Sequence, residues 1–386
     1  MSFSIDGTKL AFSSDLLQAQ SFEVSSVPKP YSVILDSNDN PCTSINAQLA
    51  KNPKNILIID EKVWGLYGKD ITWSSDRIFK VTATETFKGV DGVLALYEFM
   101  HQHDITKGET LVVVGGGITQ DISAFVAATY KRGLKWVFFP STLLAMSDSC
   151  IGGKAGVNFK GSKNQLALFS SPHSVIINTA FLATLDEKDI QSGLGEILKL
   201  CITGGQELVD FFAESVEGGK VADKTNFKPL IMSALAVKRA VIEVDEFEQN
   251  IRKGLNYGHT IGHVIESMTD YAIPHGIAVV VGMMIVNQMS FEQGLLSQEH
   301  FFAIDSLCLS LIDEQSLAHL NRMDTKEIMQ RLKQDKKVSG DQVTFVMLKQ
   351  AGGLAFVKVT MNEDLENQMS RILGQFSLML VTGGVC

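Results

Sequence analysis

Residues 109–133 read ETLVVVGGGITQDISAFVAATYKRG. The run of Leu111, Val112, Val113 and Val114 predicts a strand buried on both faces, as in a parallel sheet. Gly115, Gly116 and Gly117 end it. From Asp121 onward apolar residues recur at helical spacing, and Gly133 stands where a C-cap glycine belongs. A strand passing through glycines into a helix is the unit of an open α/β sheet. The glycines also let backbone approach an anion at a helix N-terminus. The triplet is not G-x-G-x-x-G, so a plain tight turn is the competing reading.

Outward from this stretch the alternation continues. NILIID (55–60), IFKVTATE (78–85) and LKWVFFPSTLLA (134–145) carry strand signals, VDGVLALYEFMHQHDI (90–105) a helical one, and FEVSSVPKPYSVIL (22–35) reads as strand, turn, strand. Residues 1–183 are therefore expected to form an α/β, Rossmann-like nucleotide-binding domain, with an N-terminal extension over about residues 1–50. Residues 184–386 show mostly 3.6-residue periodicity and are expected to form a mainly α-helical domain, the one that carries the candidate metal-binding residues described below. DQVTFVMLKQAGGLAFVKVT (341–360) reads as a hairpin about its glycines.

The composition narrows the classes. The chain has 386 residues, 45% of them hydrophobic, and a net charge of −9. No dense Lys/Arg run offers a face for duplex nucleic acid. AVVVGMMIV (278–286) is about half of a membrane span. MSFSIDGTKLAFSSD lacks the basic-then-apolar plan of a signal peptide, and the five cysteines form no C-x-x-C pair. A reduced, cytoplasmic protein that binds neither nucleic acid nor membrane is expected.

Two further segments carry chemistry. CIGGKAGVNFKGSKN (150–164) sets Lys154, Lys160, Lys163, Asn158 and Asn164 among small residues, with Asp148 just before it. This suits a phosphate-bearing ligand, a solvated loop being the alternative. LNYGHTIGH (255–263) and AIPHGIAVVVGM (272–283) bring three of the eight histidines within 17 residues. On a helix His259 and His263 share a face, and one loop can return His275 to them. Two or three histidines plus Glu196, an acid in the apolar-flanked GLGEILK, would satisfy zinc with an open position. Satisfied core histidines are the competing reading. Lys199 lies one turn from Glu196. Arg252 and Asn256, spaced i,i+4, would point toward the same place on one continuous helix, and Arg252 suits a bidentate grip on a carboxylate.

Taken together, VVVGGGITQDISAFVAATYKRG, FPSTLLAMSDSCIGGKAGVN, GLGEILK, LNYGHTIGH and QDKKVSG resemble the 3-dehydroquinate synthase family of sugar phosphate cyclases, from roughly residue 55 to 350. The resemblance implies NAD and zinc, with cobalt as a substitute metal. It implies Glu196, His259 and His275 as metal ligands, with His263 a substrate contact near the phosphate. Around NAD it implies Asp60, Glu85, Lys88, Gly115, Gly116, Gly117, Asp121, Ser141 and Thr142; Lys62 sits where a small polar contact is common, and Lys163 joins this group. For substrate it implies Arg132, Asp148, Lys154, Asn164, Lys199, Lys238, Arg252, Asn256 and one of Lys336 or Lys337. It further implies a homodimer in which Arg132 reaches the partner's site. The implied reaction converts 3-deoxy-D-arabino-heptulosonate 7-phosphate to 3-dehydroquinate and phosphate.

The departures are local. Gln120 is bulky where the family has a small residue, Ala155 replaces a threonine, and Ser141 replaces another. The long N-terminus is more like cyclases of sedoheptulose 7-phosphate, yet Lys154, Arg252, Asn256 and His263 keep the dehydroquinate pattern. An aminated heptulosonate phosphate, sedoheptulose 7-phosphate or a metal-dependent polyol dehydrogenation are the alternatives.

Overall fold

The computed structural model describes residues 1–27, 29–333 and 338–381. The chain divides into two compact units, residues 18–186 and residues 1–17 with 187–386.

The unit of residues 18–186 is built on a seven-stranded sheet. Its order is Ser21–Val24, Tyr31–Leu35, Ser174–Ile177, Lys135–Pro140, Thr110–Gly115, Ile56–Asp60, Ile78–Val81. Every pair is parallel except the Ser21–Val24 edge. Ile56–Ile59 and Leu111–Val114 are wholly buried, which is why these strands read as unbroken apolar runs rather than alternating ones. From Ile56–Asp60 the chain moves outward to Ile78–Val81, then returns to the other side as Thr110–Gly115. The order therefore reverses between the strands ending at Asp60 and Gly115, the place where open α/β sheets leave a crevice for ligands. Helix α1 (Gly117–Thr129) starts there.

The lysine- and glycine-rich segment is not a loop. Lys154–Phe159 and Ser162–Phe169 form an antiparallel hairpin. Lys160 (φ 48°) and Gly161 (φ 77°) make its turn, both left-handed as a two-residue hairpin turn requires.

The other unit is mainly helical and surrounds α5 (His275–Glu292), with α2 (Glu187–Gly204), α3 (Phe227–Ile242), α4 (His259–Met268) and α6 (Gln298–Ser310). The apolar run within α5 is explained by burial on all sides, from Gly276 to Asn287 without a break. Among the described residues no helix is long and apolar enough to cross a membrane. A five-stranded sheet completes the unit, ordered Val338–Ser339, Gln342–Gln350, Gly353–Thr360, Ser2–Ile5, Thr8–Ala11. The hairpin expected about Gly352 and Gly353 is its centre. Ser2–Ile5 lies parallel to Gly353–Thr360 and turns through Asp6 (φ 49°) and Gly7 (φ 80°) into Thr8–Ala11. The first seventeen residues thus pack with the helical part, not with the seven-stranded sheet they precede.

Candidate functional site

The glycine cradle follows from what side chains there would meet. A Cβ on Gly115 would lie 2.7 Å from the Thr119 side chain, and one on Gly116 3.1 Å from Thr142. Gly116 is the N-cap of α1, so the mouth of the helix is bare backbone suited to a diphosphate. Gly115 accepts a hydrogen bond from the buried Ser141 amide at 2.9 Å, tying the two strand ends together. Thr142 Oγ1 accepts from the Ala145 amide at 3.2 Å. Around this mouth lies a charged cluster. Lys88 Nζ and Asp121 pair at 2.5 Å. Burial pushes the Asp121 carboxyl up, and Lys88 opposes that rise. Glu85 accepts from Asn158 Nδ2 at 2.8 Å and lies 3.5 Å from Lys163 Nζ. Asp60 caps the Glu61–Tyr67 helix, accepting from the amides of Lys62 at 2.7 Å and Val63 at 3.3 Å. Lys62 pairs at the surface with Asp186 at 2.6 Å.

The remaining substrate candidates of this unit are spread over turns. Asp148 sits in a π-helical turn, Ala145–Ser149. Lys154 is exposed at the start of the hairpin, and Asn164 (φ 52°) donates its amide to Asn158 Oδ1 at 3.0 Å. Arg132 is exposed in a sharp turn with Lys131 (φ 48°), Arg132 (φ 64°) and Gly133 (φ 110°) all left-handed.

In the helical unit, Glu196 of α2, His259 at the head of α4 and His275 at the head of α5 meet. Glu196 Oε1 is 3.3 Å from His259 Nε2 and 3.1 Å from His275 Nε2. Lys199 Nζ is 2.5 Å from Oε2. The Glu196 side chain is fully buried, and neither oxygen takes a hydrogen bond of ordinary geometry from a described residue. Burial alone would raise Glu196, but Lys199 and His259 hold it well below the usual carboxylate range. Burial and Lys199 push His259 down to about 4, so its imidazole is neutral at pH 7. Its Nδ1 faces the Tyr257 carbonyl at 3.3 Å. A carbonyl only accepts, so Nδ1 carries the proton and the Nε2 lone pair faces Glu196 Oε1. Two electron-rich atoms aimed at one another in the interior fit a shared cation. For His275, burial opposes charge, but Glu196 and Glu266 outweigh it and raise the ring to about 10, so a metal taken up at Nε2 would displace a proton there. His263, one turn along α4, is exposed, yet the ligand atoms of His259, His263 and His275 lie within 4.8 Å of one another.

Glycines bring these helices together. Gly195 adjoins Glu196, Gly258 adjoins His259 and Gly276 adjoins His275. A Cβ on Gly195 would come 2.5 Å from the Gly276 carbonyl, one on Gly276 would strike the Ser192 carbonyl, and one on Gly258 would come 2.6 Å from Met283 Cγ. The Gly276 amide also donates to Ser192 Oγ at 3.0 Å. Gly258 is left-handed (φ 78°) and breaks the helix anticipated through 252–263. Arg252 and Asn256 sit instead on a 3₁₀ segment, Ile251–Asn256.

A hydrogen-bonded chain, buried at Tyr257 and Asn287 and half-buried at Asp305, steadies that break. Tyr257 donates to Asn287 Oδ1, and Asn287 Nδ2 donates to Asp305 Oδ1 at 2.8 Å. Burial pushes the Asp305 carboxyl up to about 7, against the hydrogen bond from Asn287. An unfolded aspartate titrates near 4. The folded state therefore keeps a proton the unfolded state has lost, and Asp305 weakens stability progressively from about pH 4 to about 7. Thermal melts of Asp305→Asn should show that slope reduced, with the variant gaining on the parent as pH rises.

Lys199, Lys238 on α3 and Arg252 are buried cations. Arg252 Nη1 donates to the Glu246 carbonyl, and its amide donates to Asp245 Oδ2 at 3.0 Å. Lys336 and Lys337 lie outside the described residues. Two acids escaped sequence reasoning. Glu266 Oε2 is 3.2 Å from His275 Nδ1. It lies seven residues after His259 on one helix, the same-face spacing that could have revealed it. Glu248 (φ 56°) accepts from Asn256 Nδ2 at 2.9 Å. It stands in an acidic run that reads as solvated surface.

Residues 78–192 match the family model for the 3-dehydroquinate synthase N-terminal region, and residues 193–338 match the C-terminal one. The 3-dehydroquinate synthase of Thermoanaerobacter pseudethanolicus is 33% identical over 80% of this chain and 87% of its own. That of Endomicrobium trichonymphae is 31% identical over 84% of this chain and 91% of its own. This chain belongs to the 3-dehydroquinate synthase family. It is an enzyme of the phosphate-eliminating, cyclising lyase type. The fold is that of solved sugar phosphate cyclases. A 2-deoxy-scyllo-inosose synthase complexed with carbaglucose-6-phosphate, NAD+ and Co2+ superposes with TM-score 0.78 at 20% identity, covering 92% of this chain and 99% of that one. The 2-epi-5-epi-valiolone synthase of Streptomyces hygroscopicus, with NAD+ and Zn2+ bound, gives 0.75 at 23%, covering 94% and 99%. Membership of this family disfavours the polyol dehydrogenase alternative.

Proposed function

We propose that this chain converts 3-deoxy-D-arabino-heptulosonate 7-phosphate to 3-dehydroquinate and phosphate, by transient oxidation, phosphate elimination, re-reduction and intramolecular aldol closure. The observation that carries the choice of substrate is the buried Arg252, beside a short segment that also holds Asn256. A guanidinium fork suits a carboxylate, which sedoheptulose 7-phosphate lacks. When bound, NAD supplies a reversible hydride acceptor and the divalent metal, zinc or cobalt, a Lewis acid at the oxygen of the same carbon.

The residues divide as follows. Glu196, His259 and His275 hold the metal, and Glu266 orients His275 by accepting from Nδ1. The amides after Gly115 receive the NAD diphosphate, while Asp60, Glu85, Lys88, Asp121, Ser141, Thr142 and Lys163 frame the nucleotide. Lys199, Lys238 and Asp148 hold substrate hydroxyls. Arg252 holds the carboxylate, while His263, Lys154, Asn164 and Asn256 complete the substrate contacts, with one of Lys336 or Lys337. Prior orientation of a flexible open-chain intermediate is what such a set contributes to the closure step. The exposed, left-handed turn at Arg132 supports a homodimer in which this arginine serves the partner's site. Cytoplasmic residence fits Cys42, Cys150, Cys201 and Cys308, which are buried and form no disulfide among the described residues.

Incubation with the heptulosonate phosphate, NAD and zinc should release equimolar phosphate and the cyclic product. Turnover of sedoheptulose 7-phosphate with none of the heptulosonate phosphate would overturn the substrate assignment. Glu266→Gln should weaken zinc binding by roughly 10–100-fold in a chelator competition, the range for a carboxylate behind a ligand histidine. An unchanged affinity would leave Glu266 without that role.

A further inference from the structure

Gln120 is the bulky residue standing in the first turn of the cradle helix where the family pattern is small. It is buried at 3% exposure, and both polar atoms of its side chain are hydrogen-bonded. Gln120 Nε2 donates to the Ser149 carbonyl at 2.7 Å, and Ser149 Oγ donates back to Gln120 Oε1 at 2.6 Å. Ser149 closes the π-helical turn Ala145–Ser149, whose defining bond runs from the Cys150 amide to the Ala145 carbonyl at 3.1 Å. Turns widened in this way are rare and occur frequently at functional sites. Asp148 lies within this turn, next to Ser149. Both amide atoms of Gln120 are spent on this one residue, so the side chain is anchored to the turn and not to the nucleotide.

We propose that Gln120 is a positioning residue: its two-way bond to Ser149 locks the π-helical turn to the first turn of α1 and so fixes Asp148 for substrate. The assignment rests on the reading above that Asp148 holds a substrate hydroxyl. It also accounts for how this chain tolerates a large polar group beside a glycine cradle. The Gln120 side chain closes on the turn behind the cradle, and Ser149 Oγ stays 4.0 Å from where a Cβ on Gly117 would be.

The test uses the full-length enzyme and the variants Gln120→Ala, Ser149→Ala and the pair. Gln120→Ala should raise the KM for the heptulosonate phosphate roughly 10-fold, the worth of one to two net hydrogen bonds. The Kd for NAD should stay within about 2-fold, because the lost bonds are protein–protein ones. Ser149→Ala keeps the carbonyl acceptor and should cost less. The double variant should be no worse than Gln120→Ala, since the two groups act as one unit. Amide hydrogen exchange over residues 142–151 should quicken in Gln120→Ala, with or without substrate turnover. An unchanged KM in an active parent, additive losses in the pair, or a NAD Kd rising in step with KM would each overturn the proposal. If the parent enzyme does not turn over this substrate, the activity reading fails instead. Exchange then decides alone, unchanged protection of the turn counting against Gln120.

Discussion

His275→Ala should leave a folded protein that has lost its divalent metal, while His263→Ala should keep it. His275 Nε2 faces Glu196 at 3.1 Å and its Nδ1 is braced by Glu266, whereas His263 is exposed at the edge of the cluster. Loss of an outer-shell partner alone costs up to about 100-fold in affinity, so removal of the ligand itself should exceed that, and turnover should vanish with the metal. His263→Ala should lose turnover with an affinity close to that of the parent. Elemental analysis after dialysis, with chelator competition, reads both. Equal metal loss in the two variants would refute the division of roles. Glu196→Ala is the less informative experiment, because it also removes the carboxylate paired with the buried Lys199, so metal loss and destabilisation would arrive together.

Gly276→Ala should destabilise the protein by about 3 kcal/mol and release metal as well. The new methyl group has backbone in its way, the Ser192 carbonyl of α2, so no side chain can swing aside. Helices α2 and α5 would have to separate, moving Glu196 away from His275. A drop of roughly 6–12 °C in melting temperature follows for a unit of this size. Gly374→Ala is the control. Gly374 lies in the Glu363–Val381 helix, and a Cβ there meets nothing within 4 Å. The same change should stabilise it by about 0.5–1 kcal/mol, through the usual penalty of glycine in a helix. Equal melting temperatures for the two variants would show that the crossing is softer than its backbone contacts indicate.

Local periodicity carried the parallel sheet well. Val112 to Gly115, and the helix after them, could be read because a strand buried on both faces is an unbroken apolar run and its helix is not. The hairpin over Lys154–Phe169 could not, since Gly, Lys and Asn have the composition of a loop and its pairing lies in backbone bonds. The placement of residues 1–17 was hidden for a different reason. Ser2–Ile5 pairs with Gly353–Thr360, and no local signal reports a partner some 350 residues away. In the histidine cluster, spacing alone drew His259 and His263 together. Glu196 and His275 were already candidates beside that pair, and family resemblance chose Glu196, His259 and His275; the structure brings all four together, Glu196 close to His259 and His275 and the ligand atoms of the three histidines within 4.8 Å of one another. The helix break at Gly258 escaped notice because a glycine amid helical periodicity looks like a tolerated one. Its left-handed φ appears only when the backbone is seen.

The crossing of α2, α4 and α5 has a consequence for which ions the proposed site accepts. Each ligand stands next to a glycine where main chain rests on its neighbour, so the corners of the triangle cannot spread independently of whole helices. Zinc holds nitrogen and oxygen at about 2.0–2.2 Å. Calcium asks for about 2.3–2.6 Å and more oxygen donors. A frame with so little lateral give admits the smaller ions and strains against the larger. Ion radius, as much as donor chemistry, is thereby filtered by how closely three helices can lie.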